Sequence, residues 1–354
     1  MRFTLPDRDT LYTALIERDP RYEGRVFVCV QSTGIFCRLS CPARKPKPEN
    51  CLFVETVAEC LEAGFRPCKR CHPLKGADDT TERLLAALDE RPAHRWQESD
   101  VAALGIDPST ARRSFKRAFG ITFLEMARLR RIGAGFTSLS DGENVIDAQQ
   151  SAGFASASAF RNAFARLAGQ SPGQFSGADA PLRADWIDTV LGAMVVVTDE
   201  HSIHLLEFAD RRALPGELKR LLKTSKGQLG FGRFDINQQL EAELSAYFAA
   251  SAARFTVPLS YHGSAFTSRV WDALREIPPG ETRSYSDLAR QLGNPGASRA
   301  VARANAANQI AIIIPCHRVI GSDGSLVGYG GGLWRKRRLI EIERELVGRR
   351  NGES

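Results

Sequence analysis

No stretch of eighteen apolar residues runs through the 354-residue chain, so no membrane-spanning helix is expected. No signal peptide is expected either, because Met1-Arg2-Phe3 is soon followed by Asp7, Arg8 and Asp9. Histidine is sparse. His201, His204 and His262 have no companions at metal-ligand spacing and are read as structural or exposed. Acidic residues, 41 in number, fall short of the 48 Lys and Arg; the net charge is +7. That balance favours polyanionic partners without identifying one. Eight cysteines without a secretory signal point to a reducing, cytoplasmic setting, where metal or catalytic roles outweigh disulfides. A 43% hydrophobic content and this length allow two or three domains with buried cores.

The most informative stretch is Ile310-Ala311-Ile312-Ile313-Ile314-Pro315-Cys316-His317-Arg318-Val319. By default a cysteine after an isoleucine run only packs. The flanking residues argue otherwise. Pro315 has no N–H to donate and ends the expected buried strand, leaving Cys316 at a turn. A neighbouring proton acceptor or positive charge favours the thiolate, which can attack a carbon electrophile. A cysteine protease is a poor fit, since its Cys and His come from distant parts of a chain.

This stretch resembles the signature of the O6-alkylguanine-DNA alkyltransferase family. Asn308, eight residues before the cysteine, corresponds to the family's hinge asparagine. Arg299 falls at its arginine finger, and Tyr285 at the tyrosine facing the target phosphate. Gly328-Tyr329-Gly330-Gly331-Gly332-Leu333 resembles the substrate-pocket loop, Lys336 the lysine on the closing helix, and Glu343 the carboxylate that orients His317. The resemblance implies that His317, held by Glu343, takes the thiol proton through water. Cys316 then accepts the alkyl group as a thioether, which water does not hydrolyse, so each chain acts once.

Residues 1–76 carry Cys37-x3-Cys41 and Cys68-x2-Cys71. Two short-spaced thiolate pairs suit one tetrahedral Zn²⁺. His72 adjoins a ligand and is an alternative donor; Cys29, Cys51 and Cys60 are assigned to packing. Four cysteines around zinc are by default structural. The words Thr33-Gly34-Ile35-Phe36-Cys37-Arg38 and Gly64-Phe65-Arg66-Pro67-Cys68-Lys69-Arg70-Cys71 resemble the N-terminal domain of the Ada family. That resemblance makes Cys37 the acceptor of a methyl group from a DNA methylphosphotriester. Four thiolates on Zn²⁺ carry a formal charge of about −2, and methylating one leaves about −1. Arg38, Arg44, Lys45, Lys47, Arg66, Lys69 and Arg70 would then meet the DNA backbone with less opposition.

Gly76-Ala77-Asp78-Asp79 reads as a linker into a helical segment, 80–177. Asp107-Pro108-Ser109 starts a helix with Ala111, Phe115, Ala118 and Phe119 on one face and Arg112, Arg113, Lys116 and Arg117 on the other. The design recurs after Ser156 or Ser158: Phe160, Phe164 and Leu167 inward, Arg161, Asn162 and Arg166 outward. Basic amphipathic helices are often only solvated surface. The pair, with Gly153-Phe154 before the second copy and Gly169-Gln170-Ser171-Pro172 after it, resembles the AraC family. There, two helix-turn-helix units enter successive major grooves.

Gly177-Ala178-Asp179-Ala180 is a second linker, followed by strands Met194–Thr198 and Ile203–Phe208 in a segment, 181–260, that fits a small α/β subdomain. Residues 261–349 give helices around Phe266–Leu274, Ser286–Gly293, Ser298–Ala306 and Trp334–Glu345. Small side chains on the third suit a minor groove, with Arg299 filling the gap of an extruded base.

The expected architecture is multidomain α+β. It comprises a small zinc domain, an all-α double helix-turn-helix domain, a ribonuclease-H-like α/β subdomain, and a helical, winged-helix-like methyltransferase domain. The resemblances imply a bacterial, nucleoid-associated protein that repairs O6-methylguanine, with O4-methylthymine as a second substrate, in double-stranded DNA. Methylated at Cys37, it would activate transcription with RNA polymerase as partner. The rival reading is a DNA-binding regulator with purely structural zinc and a non-functional transferase domain.

Overall fold

The computed structural model describes residues 5–352 apart from 23–25, 56–58, 61–62, 69, 72, 74–76, 176 and 178. Lys69, His72, Gly76 and Ala178 therefore lie outside the described residues. The chain forms two compact units, Met1–Arg83 and Leu84–Ser354. No helix among the described residues is long and apolar enough to cross a membrane.

In the first unit, helix α1 (Arg8–Glu17), capped by Asp7, accompanies a four-stranded sheet. Its strands are β1 (Phe27–Val30), β2 (Ile35–Arg38), β3 (Cys51–Val54) and β4 (Arg66–Pro67), in the order β3-β1-β2-β4. The tight β1–β2 turn is closed by Gly34 at φ 63°, with its N–H donating to Val30 O. Alternation along β1 and β2 sorts side chains by face. Val28, Val30 and Cys37 join Leu11 and Leu15 on one side; Phe27, Cys29, Phe36 and Cys60 cluster on the other. Cys29, Cys51 and Cys60 are buried.

The expected linker Ala77-Asp78-Asp79 is instead the start of helix α2 (Ala77–Glu90), which begins in the first unit and ends in the second. Then come α3 (Glu98–Ala103), α4 (Pro108–Phe119), the 18-residue α5 (Phe123–Ser140), α6 (Val145–Ser151) and α7 (Ala157–Ala168). Their starts are set by side-chain caps at Asp107, Thr122, Asn144 and Ser156. Gly120 and Gly169 end α4 and α7 at positive φ. Ala118, expected on the buried face of α4, is exposed; Phe119 turns to Trp334 instead.

A second sheet has the order β7-β6-β5-β8, built from β5 (Leu182–Ile187), β6 (Met194–Thr198), β7 (Ile203–Phe208) and β8 (Leu229–Phe231). Both of its faces are covered. Ala184, Trp186, Val195, Val197 and Leu205 pack with Phe136, Phe160 and Phe164 of the helix-turn-helix region and with α8 (Leu214–Thr224). Met194, Val196, Ile203, Leu206 and Phe208 pack with α9 (Asp235–Phe248), α10 (Ala265–Arg275) and the Cys316 region. The helix-turn-helix and transferase segments thus share one buried sheet. Close approach is made possible by Gly133 on α5, where a Cβ would lie 2.6 Å from the Trp186 ring.

The remaining elements are β9 (Arg283–Ser284), α11 (Tyr285–Gln291), α12 (Ser298–Ala306), β10 (Val319–Ile320) and α13 (Leu333–Gly352). β9 pairs in parallel with β10. Helix α13 runs past the expected Trp334–Glu345 at both ends. The expected strand over Ile310–Ile314 is replaced by a single bridge, Leu206 to Ile310, followed by turns. The cause is Asn308. Its Oδ1 accepts from Ile310 N at 2.9 Å and its Nδ2 donates to Ile314 O at 2.8 Å, so the chain wraps around one amide. Ile312 is forced to φ 72°, a costly conformation for a β-branched residue.

Candidate functional site

The first centre is the cysteine cluster. Strand β2 carries Cys37 opposite Val28, and the turn after it brings Cys41 back, with Cys41 N donating to Arg38 O. Strand β4 runs parallel to β2, and Cys68 N donates to Phe36 O, which sets the second pair beside the first. The ligand atoms of Cys37, Cys41, Cys68 and Cys71 all lie within 4.8 Å of one another, and Cys41 Sγ is 4.0 Å from Cys68 Sγ. Sulfurs about 2.3 Å from a central zinc would sit at about that mutual spacing. Protonation favours the same conclusion. A hydrogen bond from Cys37 brings Cys71 down to about 5, while burial pushes Cys41 up to about 11 and the Cys71 partner and burial push Cys37 far upward. Four sulfurs this close ionise together only around a cation. The donor set fits Zn²⁺.

Around this centre Arg44, Arg66 and Arg70 are exposed and Arg38 is half-buried. Lys45 is turned inward, its Nζ donating to Leu39 O at 3.3 Å and Cys41 O at 3.1 Å, so it braces the cysteine loop. On the helix-turn-helix helices Arg112, Arg113, Lys116, Arg117, Arg161 and Arg166 are exposed, as expected. Arg112 is paired with Glu98, and Arg161 Nε donates to Ala157 O at 3.2 Å.

The second centre surrounds Cys316, which is 7% exposed. Asn308 Nδ2 donates to Cys316 Sγ at 3.0 Å, so one amide both wraps the preceding loop and touches the sulfur. Burial pushes the thiol up to about 11, with the Asn308 hydrogen bond pulling the other way. His317 is fully buried, and its Nε2 donates to Glu343 Oε1 at 2.8 Å. A carboxylate only accepts, so the neutral ring keeps its lone pair on Nδ1. Nδ1 has no hydrogen-bond partner among the described residues and is the ring's available acceptor. Burial lowers the His317 pKa, with Glu343 opposing.

Glu343 is a hub. It accepts from Arg318 Nε at 2.9 Å and Nη2 at 2.8 Å, from Tyr247 O–H at 2.8 Å, and from Gly280 N at 3.1 Å. Burial works against its charge, yet His317 and Arg318 hold the carboxyl well below the usual carboxylate range. Tyr247 and Arg318 were not assigned roles from sequence. Nothing marks Tyr247, which lies 70 residues from His317 on α9. Arg318 carried a signal: a charged residue in an otherwise apolar run demands a buried partner.

The other sequence candidates gather here. Lys336 is fully buried; its Nζ donates to Val319 O, to Val327 O at 2.5 Å and to Gly328 O at 3.3 Å. That ties α13 to the pocket loop. A Cβ on Gly328 would lie 3.2 Å from Tyr285 Oη, which brings Tyr285 to the same loop. Tyr329 is partly buried and its hydroxyl is sealed without a partner among the described residues. Gly331 is buried where a Cβ would meet Tyr329 and Phe208 at 2.8 and 2.9 Å, and Gly330 lies over Arg211. Arg299 is exposed on α12, away from the buried set. Of the three histidines read as companionless, His201 is exposed but His204 and His262 are partners. His204 is buried, with Nε2 2.8 Å from Asp199 Oδ2 and Nδ1 2.8 Å from His262 Nε2, a pairing across 58 residues that sequence spacing hides.

Both centres are built on sulfur, one a cluster of four cysteines and one a buried thiol beside a histidine–carboxylate pair. The class they define is a cysteine-centred protein with one metal-type site and one site of the nucleophile–base–carboxylate kind. Comparison with known proteins narrows this. The metal binding domain of Ada matches residues 10–73, a helix-turn-helix domain matches 101–178, and the DNA binding domain of 6-O-methylguanine DNA methyltransferase matches 265–345. The bifunctional transcriptional activator/DNA repair enzyme Ada of Escherichia coli is 37% identical over 349 residues, covering 95% of this chain and 96% of that one. The regulatory protein ada of Salmonella typhimurium is 33% identical over 347 residues, covering 95% and 96%. A methylated-DNA–protein-cysteine methyltransferase of Mycobacterium leprae is 56% identical over 106 residues, 30% of this chain and 64% of that one. The chain belongs to the Ada family.

Proposed function

We propose that this chain repairs methylated DNA at two sulfurs and uses one of the two products as a transcriptional signal. The observation that carries the guanine reaction is the pairing of Asn308 Nδ2 with Cys316 Sγ at 3.0 Å beside a His317–Glu343 pair at 2.8 Å. His317 Nδ1 takes the Cys316 proton. The thiolate attacks the methyl carbon on guanine O6; the S–C bond forms as the C–O6 bond breaks. The electron pair returns to the base, which takes up a proton and leaves as guanine. The thioether does not hydrolyse, so turnover is single. Tyr285 faces the target phosphate, and Tyr329, Gly330, Gly331 and Lys336 shape the pocket. Arg299, exposed on a small-sided helix, fills the stack left by the extruded base. Substrates include O6-methylguanine and, by the same geometry, O4-methylthymine.

At the other centre Cys37, Cys41, Cys68 and Cys71 hold zinc, which keeps their sulfurs ionised at neutral pH. The Cys37 thiolate attacks the methyl carbon of a DNA methylphosphotriester: the S–C bond forms as the C–O bond breaks, and the phosphate leaves as the ordinary diester anion. Its sulfur then carries no charge, and the exposed Arg44, Arg66 and Arg70 meet DNA phosphates with less opposition. The methylated chain binds promoter DNA through α4 and α7 and recruits RNA polymerase as an activator. In finer detail, 1–76, 80–177, 181–260 and 261–349 are its functional segments, the third ribonuclease-H-like and the fourth winged-helix-like.

The test is to incubate the chain with methylated duplex DNA and weigh its peptides. One added methyl on each of the Cys316 and Cys37 peptides is expected. Methyl on Cys316 alone removes the sensor; methyl on neither leaves a regulator with structural zinc. Promoter binding measured before and after methylation then tests the switch.

A further inference from the structure

Glu207 ends β7 and Arg211 follows one turn later, about a hundred residues from the Cys316 motif. Their side chains are 3% and 6% exposed. A buried guanidinium is costly unless its donors are all engaged. Arg211 Nη1 is paired with Glu207 and also donates to Asn308 O at 2.6 Å. Nη2 donates to Ala306 O at 2.8 Å and lies 3.4 Å from Glu217. Ala306 is the last residue of α12, where a cation is favoured. Asn308 is the residue whose amide touches Cys316 Sγ. On its other side the guanidinium carries the pocket loop: a Cβ at Gly330 would fall 2.7 Å from Arg211 Nε and 3.1 Å from Cζ. One ion pair therefore meets the base of the amide that donates to the sulfur and the floor of the substrate loop.

We propose that Arg211, set by Glu207, is a positioning residue of the transfer centre, fixing Asn308 against the Cys316 sulfur, supporting the loop at Gly330 and tuning the charge that faces the thiolate. This rests on the reading of Cys316 as the acceptor. The titratable and charged groups facing the sulfur are Glu207 and Arg211 from β7 and its turn, His317 beside it, Lys336 from α13, Tyr285 from α11 and Tyr329 from the loop. Glu207 opposes the thiolate, whereas Arg211 and Lys336 favour it. Burial pushes the Glu207 carboxyl up to about 8, with Arg211 pulling the other way, so in the range where the thiol ionises Glu207 is an anion.

The two partners of one ion pair should therefore move the sulfur in opposite directions. The experiment is peptide-resolved alkylation of Cys316 in the full chain by iodoacetamide across pH, beside single-turnover methyl transfer from an O6-methylguanine duplex, for wild type, Glu207→Gln, Arg211→Gln and Arg211→Lys. Relative to wild type, the alkylation midpoint should fall by about one pH unit in E207Q and rise by about one in R211Q. R211K keeps the charge and loses the fork; its midpoint should stay near wild type while methyl transfer slows about tenfold. Should R211Q not fold, E207Q and R211K still decide. A midpoint unmoved or raised in E207Q, or R211K transferring methyl as fast as wild type, overturns the proposal. Iodoacetamide midpoints that shift as stated in a chain that takes no methyl from DNA would leave the positioning role standing and remove the repair reading.

Discussion

Glu343→Gln keeps the shape of the hub and deletes its charge. Two losses follow. Arg318, with a side chain 6% exposed, faces a carboxylate 1% exposed through two charge-assisted hydrogen bonds at 2.9 and 2.8 Å. With a neutral amide in its place, the buried guanidinium keeps acceptors in the Gln oxygen and Ile277 O but has lost its counter-charge. The cost of breaking such a pair is about 3–5 kcal/mol. A domain of this size moves about 2–4 °C per kcal/mol, so the melting temperature of the second unit should fall by about 6–20 °C. The chemical loss is separate. Without the anion, His317 is a weaker proton acceptor and loses the partner that fixes its tautomer, so single-turnover transfer should slow about 10²- to 10⁴-fold. The rate is measured at a temperature where circular dichroism shows both proteins folded. Acid sharpens the test. The Glu343 pKa is depressed in the folded state, so its contribution is fully present above the unfolded carboxylate value and is lost as pH falls toward the folded one. Wild type should lose stability steeply below about pH 4, and E343Q should lose less over that window. A variant that transfers methyl within threefold of wild type and melts at the same temperature would refute the hub.

Chelating the metal should unfold Met1–Arg83 and abolish methylation of Cys37 while leaving methyl transfer to Cys316 intact, read by peptide mass and circular dichroism; loss of both activities would contradict independent centres. Lys336→Met deletes donors to Val319 O, Val327 O and Gly328 O. Orphaned carbonyls at about 1–3 kcal/mol each should loosen the pocket loop, raise amide exchange over 327–332 and slow guanine repair at least about tenfold; unchanged exchange would exclude the tie. Gly133→Leu drives a side chain into the Trp186 ring, 2.6 Å from where its Cβ would sit. It should lower the melting temperature of the second unit by several degrees through overpacking, and a wild-type melting curve would mean that α5 does not pack on the sheet.

The parts legible in sequence were those whose chemistry is local. The Cys37–Cys41 and Cys68–Cys71 spacings lead to one cluster because β2 and β4 run side by side, and short loops leave little else possible. Asp107 and Ser156 cap their helices because a side-chain oxygen before an apolar period has one obvious use. Cys316, His317, Asn308 and Glu343 meet as the family resemblance implied. What stayed hidden was long-range or buried. Arg211 reaches Asn308 across 97 residues, and Tyr247 reaches Glu343 across 96. The isoleucine run misled, since periodicity cannot reveal that the Asn308 amide satisfies the backbone a strand partner would otherwise take. The shared sheet was also invisible: continuous burial of Met194–Thr198 fits a two-sided strand, but nothing in the string says that phenylalanines of the helix-turn-helix region cover one side.

Under the proposed function the two sulfurs solve opposite problems. A cysteine that works once must not be consumed by stray oxidants or electrophiles first. With burial pushing its pKa up to about 11, Cys316 rests as the thiol at neutral pH. Unassisted side reactions are slowed in proportion. Yet nucleophilicity per thiolate rises with the pKa, so the same burial makes the anion more reactive once formed. The supply of that anion then depends on a base that acts in place, which is what the His317–Glu343 pair provides. At Cys37 the ionisation would come from a shared cation, because burial and the neighbouring Cys71 both push its thiol upward. A permanently ionised sulfur is exposed to any electrophile that reaches it, and here the four-thiolate negative charge is the protection, disfavouring approach by anions in general. Only a phosphate whose charge has already been cancelled by methylation meets no such barrier. In that reading the zinc centre recognises damage by its missing charge.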